Sequence, residues 1–316
     1  QLDRGSYPGT DFYYFHGNAI PYLIYPIYKT LIWLDFFPVE ASLWSTYIVN
    51  LLFLTLPTYF LVRHFFSVTT SIVIVAAVQY QIETLSTLGF FLHTDMIGAP
   101  MGIRFAPHII VIIGYLQVAK KGSFLARLPV ISGLSLLPLI SNEQGIFALV
   151  AYIVFSVLLY LCERTELNLT HVTSSILCLA LFPLMNFIFF WNFETLSAMR
   201  EISANQVWLY GTFPNTYLSD LRDLVSLRKV ILYPSLLGTI LIVLLLPFAY
   251  KYTSQSIFTC IILANLLTLV SWISALGYIG QHQASIGYRF FLIFLLITLG
   301  TFLSRYFPTE QYFEKE

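Results

Sequence analysis

Charge is what this sequence has least of. Only 10% of its 316 residues are Asp, Glu, Lys or Arg, against roughly 25% in ordinary soluble domains. The basic and acidic residues number 16 each and cancel, so no basic field exists of the kind that nucleic-acid binding uses, and a nucleic-acid partner is excluded on that ground. Cysteine is equally scarce. Cys162, Cys178 and Cys260 lie in or beside apolar runs with no CxxC spacing, which gives neither a disulfide framework nor a zinc site. No initiator Met and no signal-peptide pattern open the chain, which starts at Gln1 with a polar stretch containing Gly and Pro; we read it as a fragment lacking at least one N-terminal helix.

What fills the sequence instead is apolar. Hydrophobic residues make up 58% and aromatics 17%. Crossing the hydrocarbon core takes roughly 20 apolar residues as a helix, because every backbone N–H and C=O must be paired within the segment. Nine segments pass that test, at about 41–63, 67–86, 104–119, 124–141, 143–161, 173–192, 231–250, 255–275 and 288–305. The fold class expected is therefore all-α, a polytopic transmembrane bundle of about nine spanning helices, forming a single domain over 1–316. A shorter apolar stretch, 19–37, is interrupted by Pro21, Pro26, Lys29 and Asp35 and reads as an interfacial helix, so that 1–40 forms an external loop followed by that helix. A long polar connection over 193–230 ends in a helix-periodic half, Leu218, Leu221, Leu224, Val225 and Leu227 among Asp220, Arg222, Asp223, Arg228 and Lys229. It predicts an external loop with an amphipathic helix.

Lys and Arg in short loops mark the cytoplasmic side. Alternate loops carry Arg63, then Lys120, Lys121 and Arg127, then Arg164, then Lys251, then Arg305 with Lys315, whereas the turn around Asn142 has none. The chain thus starts outside and ends inside. That topology puts Asn168-Leu169-Thr170 on the cytoplasmic side, so this sequon is not read as a glycosylation acceptor. It also gathers on the outer side Asp3, Asp11, Asp35, Glu40, Glu83, Asp95, Glu143, Glu194, Glu201, Asp220 and Asp223, with His16, His93, His108 and His282 and, at helix starts, Arg104 and Arg289. Such groups can do proton and phosphate chemistry. Singly, each also suits an interfacial anchor.

Local arrangements narrow the candidates. Arg104 and His108 stand four apart on one helical face, where a guanidinium and an imidazole can hold an anion or the neighbouring Asp95. Ser141-Asn142-Glu143-Gln144-Gly145 joins two hydrophobic helices so tightly that Asn142 and Glu143 are expected at the outer rim, with helix capping as the alternative. Gly287-Tyr288-Arg289 opens a helix with an aromatic and a fixed cation near His282, suited to a lipid phosphate or to belt anchoring. The opening segment places Asp11 ahead of aromatics, a His16-Gly17 turn and the Pro-interrupted helix.

Taken together, these motifs resemble the membrane-embedded glycosyltransferases that use polyprenyl-phosphate sugars, the GT-C class, including bacterial uncharacterised multi-pass members. Asp11 is similar to the acidic residue of their first external loop, His16 to Tyr28 to the interfacial helix that follows, Asn142 to Gly145 to a polar-acidic-Gly turn, and Gly287 to Phe291 to the Tyr-Arg start of a late helix. The chain departs from the pattern in having Phe12 after Asp11 rather than an acidic pair. The resemblance implies a GT-C-like bundle in a bacterial cytoplasmic membrane that moves a sugar, with inversion, from a polyprenyl-phosphate donor to a glycan, lipid or protein acceptor at the outer leaflet. It implies Asp11 as the general base, and Arg289 and Arg104 steadying the leaving phosphate, with Arg222, Arg228 and Lys229 as outer alternatives. Glu143, Asp95 and His93 could position acceptor hydroxyls or, with Asp11, hold a divalent magnesium or manganese ion. His16, His108, Asn142, His282 and Tyr288 complete the substrate-binding set. Two other readings fit a multi-pass chain. A transporter or flippase would place charges near the bilayer midplane on broken helices, and a non-catalytic envelope-assembly subunit would tolerate loss of Asp11.

Overall fold

A computed structural model describes residues 19–76, 103, 106–191, 193–197, 200–201, 258–260, 262–264 and 266–267. Among these, regular structure is helical throughout and no strand occurs. In chain order the helices are α1 (Ile20–Trp33), α2 (Pro38–Phe65), α3 (68–76), α4 (Ala106–Lys120), α5 (Phe124–Ser135), α6 (Leu137–Ile140), α7 (Asn142–Cys162) and α8 (Glu166–Phe190). Helix α2 runs through a π-helical turn at Leu51–Thr55. The described residues fall into two compact units. One holds α1, α2 as far as Pro57, and α4 to α8; the other holds the rest of α2, α3 and the helical residues of 258–267.

Local chemistry sets the helix boundaries. Pro38 opens α2 with its φ already fixed and no N–H to leave unpaired, and Glu40 stands in the same turn. Ser123 caps α5 by accepting from the Ala126 amide at 3.3 Å. Thr165 caps α8 by accepting from the Asn168 amide at 3.1 Å, with Glu166 in the first turn. This start corrects the sequence expectation of 173. Polar residues between 166 and 173 hid the first two turns from a hydropathy reading, but two of them face inward. Asn168 and His171 are buried, and the Asn168 amide donates to the Glu163 carbonyl at 2.7 Å. Thr165→Ala is expected to lower the stability of the detergent-solubilised protein by about 1 kcal/mol, with Thr165→Ser restoring it in the same thermal unfolding measurement.

The first unit leaves much apolar surface exposed, beside a core that also takes in polar side chains. Along α7, Val150, Val154, Leu158 and Leu161 form an exposed stripe, and Leu167, Ile176, Leu184 and Ile188 are exposed on α8. The buried positions include Ser156, Ser174, Ser175 and Asn186. Leaving such apolar stripes in water forfeits roughly 25 cal/mol for every Å² not buried, whereas acyl chains solvate them at no cost. Three helices, Pro38–Phe65, Gln144–Cys162 and Glu166–Phe190, are long and apolar enough to cross a membrane. Only 39%, 39% and 28% of their apolar windows are buried within the protein, as expected of helices that also face lipid. Helix α7 packs along α8, and small residues such as Ala148, Ala151, Ser174, Ser175 and Cys178 are buried on the two helices, the composition that lets helices approach closely in a bilayer.

The other expected spans compare as follows. The 41–63 segment is α2, 104–119 is α4, and 143–161 is α7. The 124–141 segment is divided at Leu136 into α5 and α6, with Pro138 at the start of α6. The 67–86 and 255–275 segments are described only over 68–76 and parts of 258–267. The 231–250 and 288–305 segments, and nearly all of the 193–230 connection, lie outside the described residues. Within 19–37, α1 stops at Leu34, and Asp35 takes a left-handed φ of 63°.

Candidate functional site

Helices α4, α5 with its continuation α6, α7 and α8 are joined by short turns, and one hydrogen bond fixes which ends meet. His108, in the first turn of α4, pairs through Nε2 with Gln144 Oε1 in the first turn of α7 at 2.8 Å, and both side chains are buried. The starts of α4 and α7 therefore share one end of the unit with the finishes of α6 and α8. The opposite end carries Lys120, Lys121, Arg127 and Arg164, with Arg127 Nε donating to the Lys121 carbonyl at 2.8 Å.

Around the shared end the chain is drawn tight. Ser141 is extended, at φ −148° and ψ 112°, and its side chain makes no cap bond to α7. The Gly145 amide instead closes the turn on the Ser141 carbonyl at 2.8 Å. Gly145 has no Cβ because none fits: one would collide with the Leu137 carbonyl and the Pro138 nitrogen. Helix α1 is tied into the same place. The Ala19 amide donates to the Leu139 carbonyl at 3.0 Å, and the Tyr22 ring packs against Phe189 and Phe190, with centroids 5.8 and 5.7 Å apart. Farther along, Asn186 Nδ2 donates to Thr195 Oγ1 at 2.6 Å, with both residues buried, and folds the chain beyond α8 back onto it.

Near the finish of α8, Asn186 and Thr195 form a buried polar pair, and the starts of α4 and α7 form a buried polar junction of His108, Ser141, Asn142 and Gln144 in a largely apolar bundle. Of the site residues expected from sequence, His108 and Asn142 belong to it, Asn142 being 4% exposed. Glu143 lies between Asn142 and Gln144 in the first turn of α7. Asp11, His16, His93, Asp95, Arg104, His282, Tyr288 and Arg289 lie outside the described residues. Among the described residues no three His, Cys, Asp or Glu side chains come together as a metal set.

Two features escaped the sequence reading. Gln144 was passed over in favour of its acidic neighbour, although it is the residue that reaches across to His108. The second is an aromatic cluster deeper in the bundle. Tyr152 Oη lies 3.0 Å from His171 Nδ1, and the Tyr115 ring stacks on the His171 imidazole at 4.2 Å, joining α4, α7 and α8. Its signal in the sequence was His171 followed by Ser174 and Ser175, a polar stripe one helical turn long.

The chain matches no protein-family model, no curated protein and no solved structure.

Proposed function

We propose that this protein is an integral membrane glycosyltransferase of GT-C type with about nine spans, moving a sugar from a polyprenyl-phosphate donor to a glycan, lipid or protein acceptor of the cell envelope at the outer leaflet. The observation that supports this most is the Ala19 to Leu139 hydrogen bond. Asp11 precedes Ala19 by eight residues, and Asn142 follows Leu139 by three. Eight residues span at most roughly 29 Å, so the covalent chain permits the Asp11 carboxylate to approach the Asn142 to Gly145 turn. Lys120, Lys121, Arg127 and Arg164 collect at the other end of the unit, as expected for the cytoplasmic side.

In this reading Asp11 takes the acceptor hydroxyl's proton while that oxygen attacks the anomeric carbon, and the polyprenyl phosphate leaves from the opposite face. Asn142 and Glu143 orient the acceptor, and His16, His93 and Asp95 line its approach. Arg104 and Arg289, with His282 and Tyr288, take up the negative charge on the departing phosphate. His108 contributes through α7 instead of touching the anion, because its Nε2 is engaged by Gln144. The oxygen donors of Asp11, Asp95 and Glu143 with the His93 nitrogen form a set suited to a hard cation such as magnesium or manganese, which would supply further charge neutralisation.

The test is sugar transfer from a polyprenyl-phosphate donor by the full-length protein and its Asp11→Asn variant. The parent is expected to form product, and the variant to be slower by about 10²-fold, the lower range for loss of a general base. No transfer by the parent defeats the enzyme assignment, and equal turnover by the two removes Asp11 as the base. Uptake into sealed vesicles distinguishes a transporter, since a transferase forms product without net passage of its substrate.

A further inference from the structure

The cationic end of the first unit plays no part in that chemistry, yet its composition is specific. Lys120 and Lys121 are exposed at the end of α4, Arg164 is exposed just before α8, and Arg127 is half-buried on α5. The Arg127 guanidinium is held in place by its Nε bond to the Lys121 carbonyl. Helix α5 packs along α8, so their first turns, with caps at Ser123 and Thr165, present two positive helix ends to the same region. The carboxylates of Glu163 and Glu166 leave it with a cationic excess. Directly alongside is an apolar stripe: Phe124 is 56% exposed, Leu125 76% and Leu128 37%, and their spacings of one, three and four place them on one side of α5. At Gly122, between cations and stripe, there is open space.

We propose that the α4–α5 loop is a docking site for an anionic glycerophospholipid of the leaflet at that end, with the phosphate among Lys120, Lys121 and Arg127 and an acyl chain along Phe124, Leu125 and Leu128. The inference rests on the membrane assignment and is independent of the transferase reading. Charge complementarity selects an anionic headgroup. The apolar stripe beginning beside the cations selects a lipid over a soluble phosphate, since a free anion gains nothing from Leu125 and Leu128. A zwitterionic headgroup offsets its own phosphate with a cation and gains little from three more.

The experiment uses the full-length protein in neutral detergent, titrated with phosphatidylglycerol, phosphatidylcholine or glycerol phosphate, and reads the thermal unfolding midpoint. Phosphatidylglycerol is expected to raise it, and the other two to leave it near its starting value. Each cation near an anionic surface contributes about fivefold in affinity. The Lys120→Gln/Lys121→Gln variant, altered only at exposed side chains, is therefore expected to need about 25-fold more phosphatidylglycerol for the same shift, and the variant with Arg127→Gln added about 125-fold more. Equal protection by phosphatidylcholine, an unchanged phosphatidylglycerol midpoint in the double variant, or the same shift from glycerol phosphate alone would overturn the proposal. The last of these outcomes identifies a soluble-anion site instead.

Discussion

Gly145→Ala is expected to cost about 3 kcal/mol of stability, the upper range for overpacking. Most glycines in a bundle can gain a methyl group by pushing a side chain aside. At Gly145 the neighbours are the Leu137 carbonyl and the Pro138 nitrogen. Both are backbone atoms, and Pro138 is locked in the first turn of α6, so relief requires that α6 and α7 separate. Separation also strains the Ala19 to Leu139 hydrogen bond that anchors α1. Gly114 supplies the comparison. A Cβ there meets only the Leu134 methyl groups, at 2.7 and 2.8 Å, which can rotate away, so Gly114→Ala is expected to cost about 1 kcal/mol. Thermal unfolding of both variants in one detergent checks the ordering. Equal losses would mean that the α6 to α7 turn is looser than described.

His108→Leu is expected to cost about 2 kcal/mol, and the reason predicts a reversal. The substitution retains most of the buried volume but leaves the Gln144 amide without its cross-helix donor, and an unsatisfied buried polar group costs about 1–3 kcal/mol. Gln144→Leu exposes the imidazole to the same penalty. Replacing both partners removes both penalties, so the double variant is expected to be more stable than either single one, a coupling of about 1–2 kcal/mol in a thermodynamic cycle. Additive losses would show that the two side chains act independently. Under the transferase proposal the single variants are expected to raise KM more than they lower kcat in a sugar-transfer assay, since His108 would act on the placement of Asn142 and Glu143 and not on a reacting atom.

The helices were legible because crossing a bilayer imposes a length and a hydropathy that few other structures need. Helices α2, α4 and α7 begin and end within a few residues of the apolar runs that predicted them. Helix α8 was read short by seven residues because its first two turns bury polar side chains against the protein, and a hydropathy average cannot tell an inward-facing Asn168 from one in a loop. Of the expected site residues only His108, Asn142 and Glu143 fall among the described ones, and the turn that holds two of them was legible as a place but not as a set of contacts. A polar turn between two apolar helices was visible at 141–145, and helix capping was a fair reading of it. Yet Ser141 makes no cap bond, and the working contact is Gln144 to a histidine 36 residues earlier in the chain. Nothing local in the sequence records which side chains on separate helices meet, since that depends on the rotation of each helix about its axis. The same limit hid the Tyr115, Tyr152 and His171 cluster, whose members come from three helices.

The π-helical turn at Leu51–Thr55 inserts the equivalent of one extra residue into the long second helix. In a regular α-helix each residue advances the face by about 100°. Just beyond the turn, Thr58, Leu61, Val62 and Phe65 are buried. Deleting a single residue between 51 and 55 is expected to leave an unbroken apolar rod that inserts as readily as before, while turning those four side chains by about 100° about the helix axis. The segment thus behaves as a phase marker, whose loss an assay of membrane integration overlooks and a measurement of tertiary packing detects.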